Sequence, residues 1–84
     1  MFTFRKLRLD VLEKAKYRHH YLRLGQFVFN YMHGFYGVAR DVKNIDGVDC
    51  YYRDDLVDEF LKCCVERINN KEENGLEKHK EENV

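Results

Sequence analysis

The chain lacks proline and serine entirely, and it holds only five glycines and three cysteines among its 84 residues. Without proline, no helix is forced to kink or stop at one. Without serine, the commonest hydroxyl nucleophile is missing, and Gly-rich phosphate loops and dinucleotide fingerprints are missing as well. No apolar run approaches the roughly 20 residues that cross a bilayer. Residues 1–12 alternate charge with apolar side chains, unlike the continuous apolar stretch of a secretory signal. The expected compartment is the cytoplasm of whatever cell expresses it. The cysteines, Cys50, Cys63 and Cys64, are odd in number. Neighbours on a helix point about 100° apart, so Cys63 and Cys64 are poorly placed to bridge. Reduced, packed thiols are expected.

Hydrophobic residues make up 44% and charged residues 36%, enough apolar content for one small folded domain. Net charge is zero but unevenly placed. Residues 1–43 carry nine Lys/Arg against three acids, and residues 44–84 carry six against twelve. This polarity suits a partner of one sign, or attraction within the fold or within an oligomer.

Helical periodicity dominates the chain. Phe4, Leu7, Val11 and Ala15 share one face, with Leu12 beside them, so a first helix begins at Thr3 or at Asp10, the earlier start being favoured. Residues 17–23 form a junction. Leu24, Phe27, Val28, Tyr31, Met32 and Phe35 then recur at helical spacing and predict a central second helix. Gly25 suggests close approach of a neighbouring helix, and Gly34 and Gly37 are candidate stops. Residues 38–44 can add one or two helical turns. Asp46-Gly47 is turn chemistry, and Cys50-Tyr51-Tyr52 is expected as a short extended segment packing its aromatics on the core. A last helix starts near Asp54 or Asp55, which can cap it, and buries Val57, Phe60, Leu61, Cys64 and Ile68. Residues 69–84 hold two apolar side chains and predict a solvated, charged, flexible tail or a frayed helix. The expected fold is all-α: a three- or four-helix domain over 1–68, with the tail over 69–84.

Site chemistry is sparse. His19, His20, His33 and the cysteines are zinc-ligand types, but no Cys-x-x-Cys or His-x-x-x-His pair exists. A calcium loop around Asp46-Gly47 needs an acid at position 42 and a glutamate at 53; the residues there are Val42 and Arg53. Neither a metal nor another cofactor is expected, nor an enzymatic activity. Two surfaces stand out instead. Arg5, Arg8, Lys16, Arg18, His19, His20 and Arg23, with Tyr17 and Tyr21 between them, can present a basic face to nucleic acid. Against this stand a pI near 6.9 and the acidic tail. Six Phe and six Tyr favour protein contact, because tyrosine joins an apolar body to a polar tip. The contact candidates are Arg5, Arg8, Tyr17, Arg18, Tyr21, Tyr51, Tyr52 and Arg53. Another protein is the favoured partner, nucleic acid the alternative, and a second copy a third.

The segments Arg23-Leu24-Gly25-Gln26-Phe27-Val28-Phe29-Asn30 and Asp49-Cys50-Tyr51-Tyr52-Arg53-Asp54-Asp55-Leu56-Val57-Asp58-Glu59-Phe60-Leu61 lie within a span, residues 23–61, of about half the chain. They resemble small proteins of phages, prophages and mobile elements that share an Arg-x-Gly-Gln helix and a later Asp-aromatic-Asp segment opening a last helix. The resemblance brings no activity with it. It implies a context: short accessory proteins that bind and block a host protein, including defence nucleases such as those of CRISPR systems. Neither the N-terminal helix nor the tail belongs to the resemblance. The roles of Gln26 and Asn30 stay open, on the polar side or as buried bonded groups.

Overall fold

In a computed structural model, residues 3–82 are described, with side chains described through Lys71. Four helices appear, and no strand occurs among the described residues: α1 (Phe4–Ala15), α2 (Leu24–Tyr36), α3 (Ala39–Asp41) and α4 (Val57–Glu82). A π-helical turn, Val42–Asp46, extends α3, and a 3-10 turn, Asp54–Leu56, leads into α4. No described helix is long and apolar enough to cross a membrane.

The early start of α1 is the one observed. The Thr3 hydroxyl accepts the Lys6 N–H at 3.3 Å and so caps the first turn. Asp10 lies mid-helix, where its carboxylate meets Lys14 at 3.2 Å and the Tyr31 hydroxyl at 3.1 Å. Leu7, Val11 and Ala15 are buried as their spacing requires, and Phe4 is half-buried. Arg18 then closes the helix end, donating to the Ala15 and Leu22 carbonyls at 2.9 Å each. These two bonds brace the junction over residues 17–23.

α2 is central, as expected, but rotated from the stripe read in its sequence. Gly25, Val28 and Met32 form its buried line. Phe27 and Tyr31 lie at the rim beside α1, and Phe35 is 74% exposed. Their rings form a ladder, with centroids 5.8 Å apart for Phe27–Tyr31 and 4.7 Å for Tyr31–Phe35. The rotation follows from Phe29, which turns inward and packs on Phe60 at 5.6 Å and edge-on to Tyr51 at 5.6 Å. Gly37 ends the helix in the left-handed conformation, φ 68°, and Gly47 ends the π-helical turn likewise, φ 76°. Gly34 sits within α2 and stops nothing.

Gly25 marks a close approach, but the neighbour is a loop backbone, not a helix. A Cβ at this position would overlap the Cys50 carbonyl oxygen and lie 3.0 Å from Asp54 Oδ1. The segment at Cys50-Tyr51-Tyr52 is a turn where an extended run was expected. The Arg53 N–H closes it on the Cys50 carbonyl at 3.0 Å. A turn, unlike a strand, brings the Cys50 carbonyl and Asp54 to one side, where both meet Gly25. Asp54, expected to cap the last helix, instead accepts the Gly25 N–H at 2.8 Å and so caps α2.

α4 buries Val57, Phe60, Leu61, Cys64, Val65 and Ile68. Arg8 of α1 reaches Asp58 at 2.7 Å, and Lys62 lies 5.2 Å above the Phe4 ring, so the two helices run antiparallel. α2 runs parallel to α4, with Gly25 beside Asp54 and Phe29 beside Phe60. The backbone of α4 continues through the expected tail to Glu82, so the boundary at 68 falls inside a helix. The tail's side chains beyond Lys71, and residues 83 and 84, lie outside the described set.

Gly25→Ala is expected to lower stability by about 2 kcal/mol, because overlap costing about 3 kcal/mol outweighs the ~1 kcal/mol that alanine gains in a helix. Asp54→Ala removes the cap and costs about 1 kcal/mol. Urea unfolding of both variants and their double checks this. The double should fall short of the sum, since the two residues share one contact.

Candidate functional site

The eight contact candidates fall into three places. Arg5 and Arg8 lie on α1; Arg5 is exposed, and Arg8 is engaged with Asp58. Tyr17, Arg18 and Tyr21 lie on the α1–α2 junction. Tyr51, Tyr52 and Arg53 lie on the turn before α4. The last two groups flank the N-terminal end of α2, because the turn packs on Gly25 and the junction runs directly into Arg23 and Leu24. Tyr17 is 82%, Tyr21 80% and Tyr52 70% exposed, while Tyr51 is half-buried on Phe29.

Ring stacking organises the junction. His19 and His20 stack at 4.5 Å, and Tyr21 lies against His20 at 4.1 Å. The Tyr21 N–H donates to His19 Nδ1 at 3.3 Å. A short aromatic ridge therefore stands on the brace that Arg18 makes. The arginines are less available than the sequence suggests. Arg18 donates to backbone carbonyls, and Arg53 forms a two-pronged pair with Asp55 at 3.0 and 2.7 Å. That pairing holds the Asp55 carboxyl below its usual range. Lys14 and Lys16 pair with Asp10 and Glu13 on their own helix.

The segments that carry the resemblance meet in space, and they meet as a structural joint. Gly25 touches Cys50 and Asp54, Phe29 touches Tyr51 and Phe60, and the Cys50 thiol donates to the Gly25 carbonyl at 3.4 Å. Gln26 has a role: its Oε1 accepts the Arg23 N–H at 3.2 Å and completes the start of α2. Asn30 is exposed.

Two open grooves went unseen in the sequence. One, of about 540 Å³, is lined by Phe29, Tyr51 and Tyr52 together with Arg40, Lys43, Asn44 and Asp49. Arg40 and Lys43 carry no ion pair among the described residues. Their i, i+3 spacing was a legible signal, but nothing in the sequence placed them in one groove with the tyrosines. The other, of about 410 Å³, runs past Asp46 and Arg67. Arg67 donates twice to Asp46 at 2.9 Å, which lowers the Asp46 pKa and ties the π-helical turn to α4.

The thiols are built for packing. Cys50 and Cys64 are fully buried, and burial pushes the Cys50 thiol up to about 12 and Cys64 also well upward. Cys63 is half-buried, and burial raises it too. Among the described residues, no group of three or more His, Cys, Asp or Glu side chains is placed to hold a metal ion. No family model, curated protein or solved structure matches the chain.

Unfolded thiols ionise near pH 8.5, roughly. The folded chain keeps Cys50 and Cys64 protonated above that point, so the folded state binds more protons and stability falls as pH rises beyond it. The urea midpoint is expected to drop between about pH 8.5 and 9.5, above the free-thiol value and below tyrosine ionisation. The drop should be smaller in Cys50→Ala and Cys64→Ala. Equal drops in all three proteins would assign the effect elsewhere.

Proposed function

We propose that the chain is a non-enzymatic protein-interaction module, and that its partner docks on the aromatic end of the bundle where α2 begins. One observation carries this reading: Tyr17, Tyr21 and Tyr52 are among the most exposed large side chains, on segments held at that end by backbone and side-chain hydrogen bonds. Leaving three aromatic rings in water forgoes burial worth about 1.5–3 kcal/mol for a large apolar side chain, and a partner can recover it. Tyrosine on a braced loop loses little entropy on docking, as interface anchors require. Arg5 adds an exposed cation, and Arg8 and Arg53 form exposed pairs that a partner carboxylate can exchange at small cost. The buried, protonated thiols support the non-enzymatic part of the reading. The resemblance to proteins of phages and mobile elements supplies the partner's kind: a host protein, modulated or inhibited by being covered, a CRISPR-type nuclease being one such target. Nucleic acid held by the basic face of α1 has less support, since the pI is near 6.9 and the second half of the chain is acidic.

Affinity purification of the tagged chain from host lysate, after nuclease treatment and in high salt, is expected to retain one stoichiometric protein. The Tyr17→Ala/Tyr21→Ala double variant should lose it, with affinity down about 30-fold or more, as for paired anchors worth at least 2 kcal/mol. Release by nuclease or salt would overturn the reading in favour of nucleic acid.

A further inference from the structure

We propose that the groove between α3 and the Tyr51–Tyr52 turn binds a nucleoside monophosphate unit, its phosphate between Arg40 and Lys43 and its base on the Tyr52 ring. This inference does not depend on the protein-docking reading, although the two share Tyr52.

The first argument is the disposition of charge. Arg8, Lys14, Lys16, Arg53 and Arg67 each have a carboxylate within 4 Å. Arg40 and Lys43, three residues apart on one helical turn, have none among the described residues and share a single groove. Two undedicated cations on one wall make a seat for a phosphate, which arginine engages with two parallel donors and lysine as a point charge.

The second argument is what faces them. Tyr52 is 70% exposed, and its ring meets Tyr51 edge-on at 4.8 Å, which leaves a face open to stacking. Tyr51 is itself fixed edge-on to Phe29, and its N–H is held by Asp49 Oδ1 at 2.9 Å. The platform is therefore set before a ligand arrives. An aromatic face beside cations is the arrangement by which proteins take up unpaired nucleotides. Asn44, exposed on the cationic side, offers both a donor and an acceptor to a base edge.

Size and charge set the ligand. A groove of about 540 Å³ takes one nucleotide, not a folded element. Asp49 offsets one of the two cations, which suits one phosphate and argues against a triphosphate. The cationic wall is rigid: it lies between the left-handed Gly37 and Gly47, and the Val48 N–H closes it on the Val42 carbonyl at 3.2 Å. The same nucleotide unit can arrive free or within a single strand.

The test is titration of the isotope-labelled full chain with uridine and adenosine monophosphates, inorganic phosphate, an eight-residue thymidine oligonucleotide and a polyglutamate peptide, read by amide chemical shifts. The monophosphates are expected to move the amides of Arg40, Lys43, Asn44, Tyr51 and Tyr52. Tyr52→Ala should weaken them by roughly 10-fold, the range of one base–aromatic stack. Arg40→Glu/Lys43→Glu should abolish binding, and Tyr17→Ala should leave it unchanged. All substituted side chains are exposed, so preserved amide dispersion certifies the fold of each variant. An oligonucleotide binding more tightly than the monophosphates, with a steep salt dependence, identifies a single strand as the source; equal affinity identifies the free nucleotide. No shift at 10 mM, roughly the weak limit for so small a ligand, overturns the proposal. So does inorganic phosphate or polyglutamate binding as well as the monophosphates with no loss in Tyr52→Ala, which would make the groove a general anion surface or an acidic-peptide site.

Discussion

The bundle depends on one contact, the backbone of Gly25 against the turn at Cys50 and Asp54. Three bonds or exclusions meet there: the Gly25 N–H on Asp54, the Cys50 thiol on the Gly25 carbonyl, and the absence of a Cβ. The first N–H groups of a helix have no partner of their own, and in α2 an aspartate from across the chain supplies one. That bond fixes where α2 starts relative to α4. Phe29 then falls on Phe60, and Tyr51 falls on Phe29. The parallel pairing of α2 with α4 follows from the joint, and α1 fills the remaining side.

The same joint decides which aromatics are spare. Because Phe29 is drawn inward, Phe27, Tyr31 and Phe35 rotate to the rim and Phe35 reaches water. Tyr31 keeps its hydroxyl on Asp10, and burial with that carboxylate raises its pKa. Tyr17, Tyr21 and Tyr52 are exposed as well, on segments pinned by Arg18, His19 and Asp49. A small domain has too little interior for twelve aromatic rings, so some must face solvent or a partner. In this fold they are ordered by hydrogen bonds at their bases, which is the condition for anchoring a partner without a large entropic cost.

Charge is partitioned in a parallel way. The basic first half and acidic second half meet within the fold through Arg8–Asp58, while Asp46–Arg67 pairs two residues of the second half. Much of α1's charge is thereby balanced locally. Arg40 and Lys43, two of the cations without a carboxylate among the described residues, share a groove with Tyr51 and Tyr52. Protein docking draws mainly on the junction and nucleotide binding on the turn, with Tyr52 common to both.

Much of the fold was legible because helical signals are local. The early start of α1, the faces of α1 and α4, Gly37 as a stop and Asp46-Gly47 as a turn follow from side chains within a few residues of where they act. The exposed tyrosines were legible only as an excess of rings over available core. Four features depended on contacts between residues far apart in the chain. These are the rotation of α2, the turn at Tyr51-Tyr52, the transfer of Asp54 from its own helix to α2, and the groove that sets Arg40 and Lys43 against Tyr52. Amphipathic spacing ranks a helix's faces by apolar content, and α2 is apolar over most of its circumference, so spacing could not choose its inner line. The choice was made by a glycine's missing Cβ, whose meaning exists only once another segment lies against it.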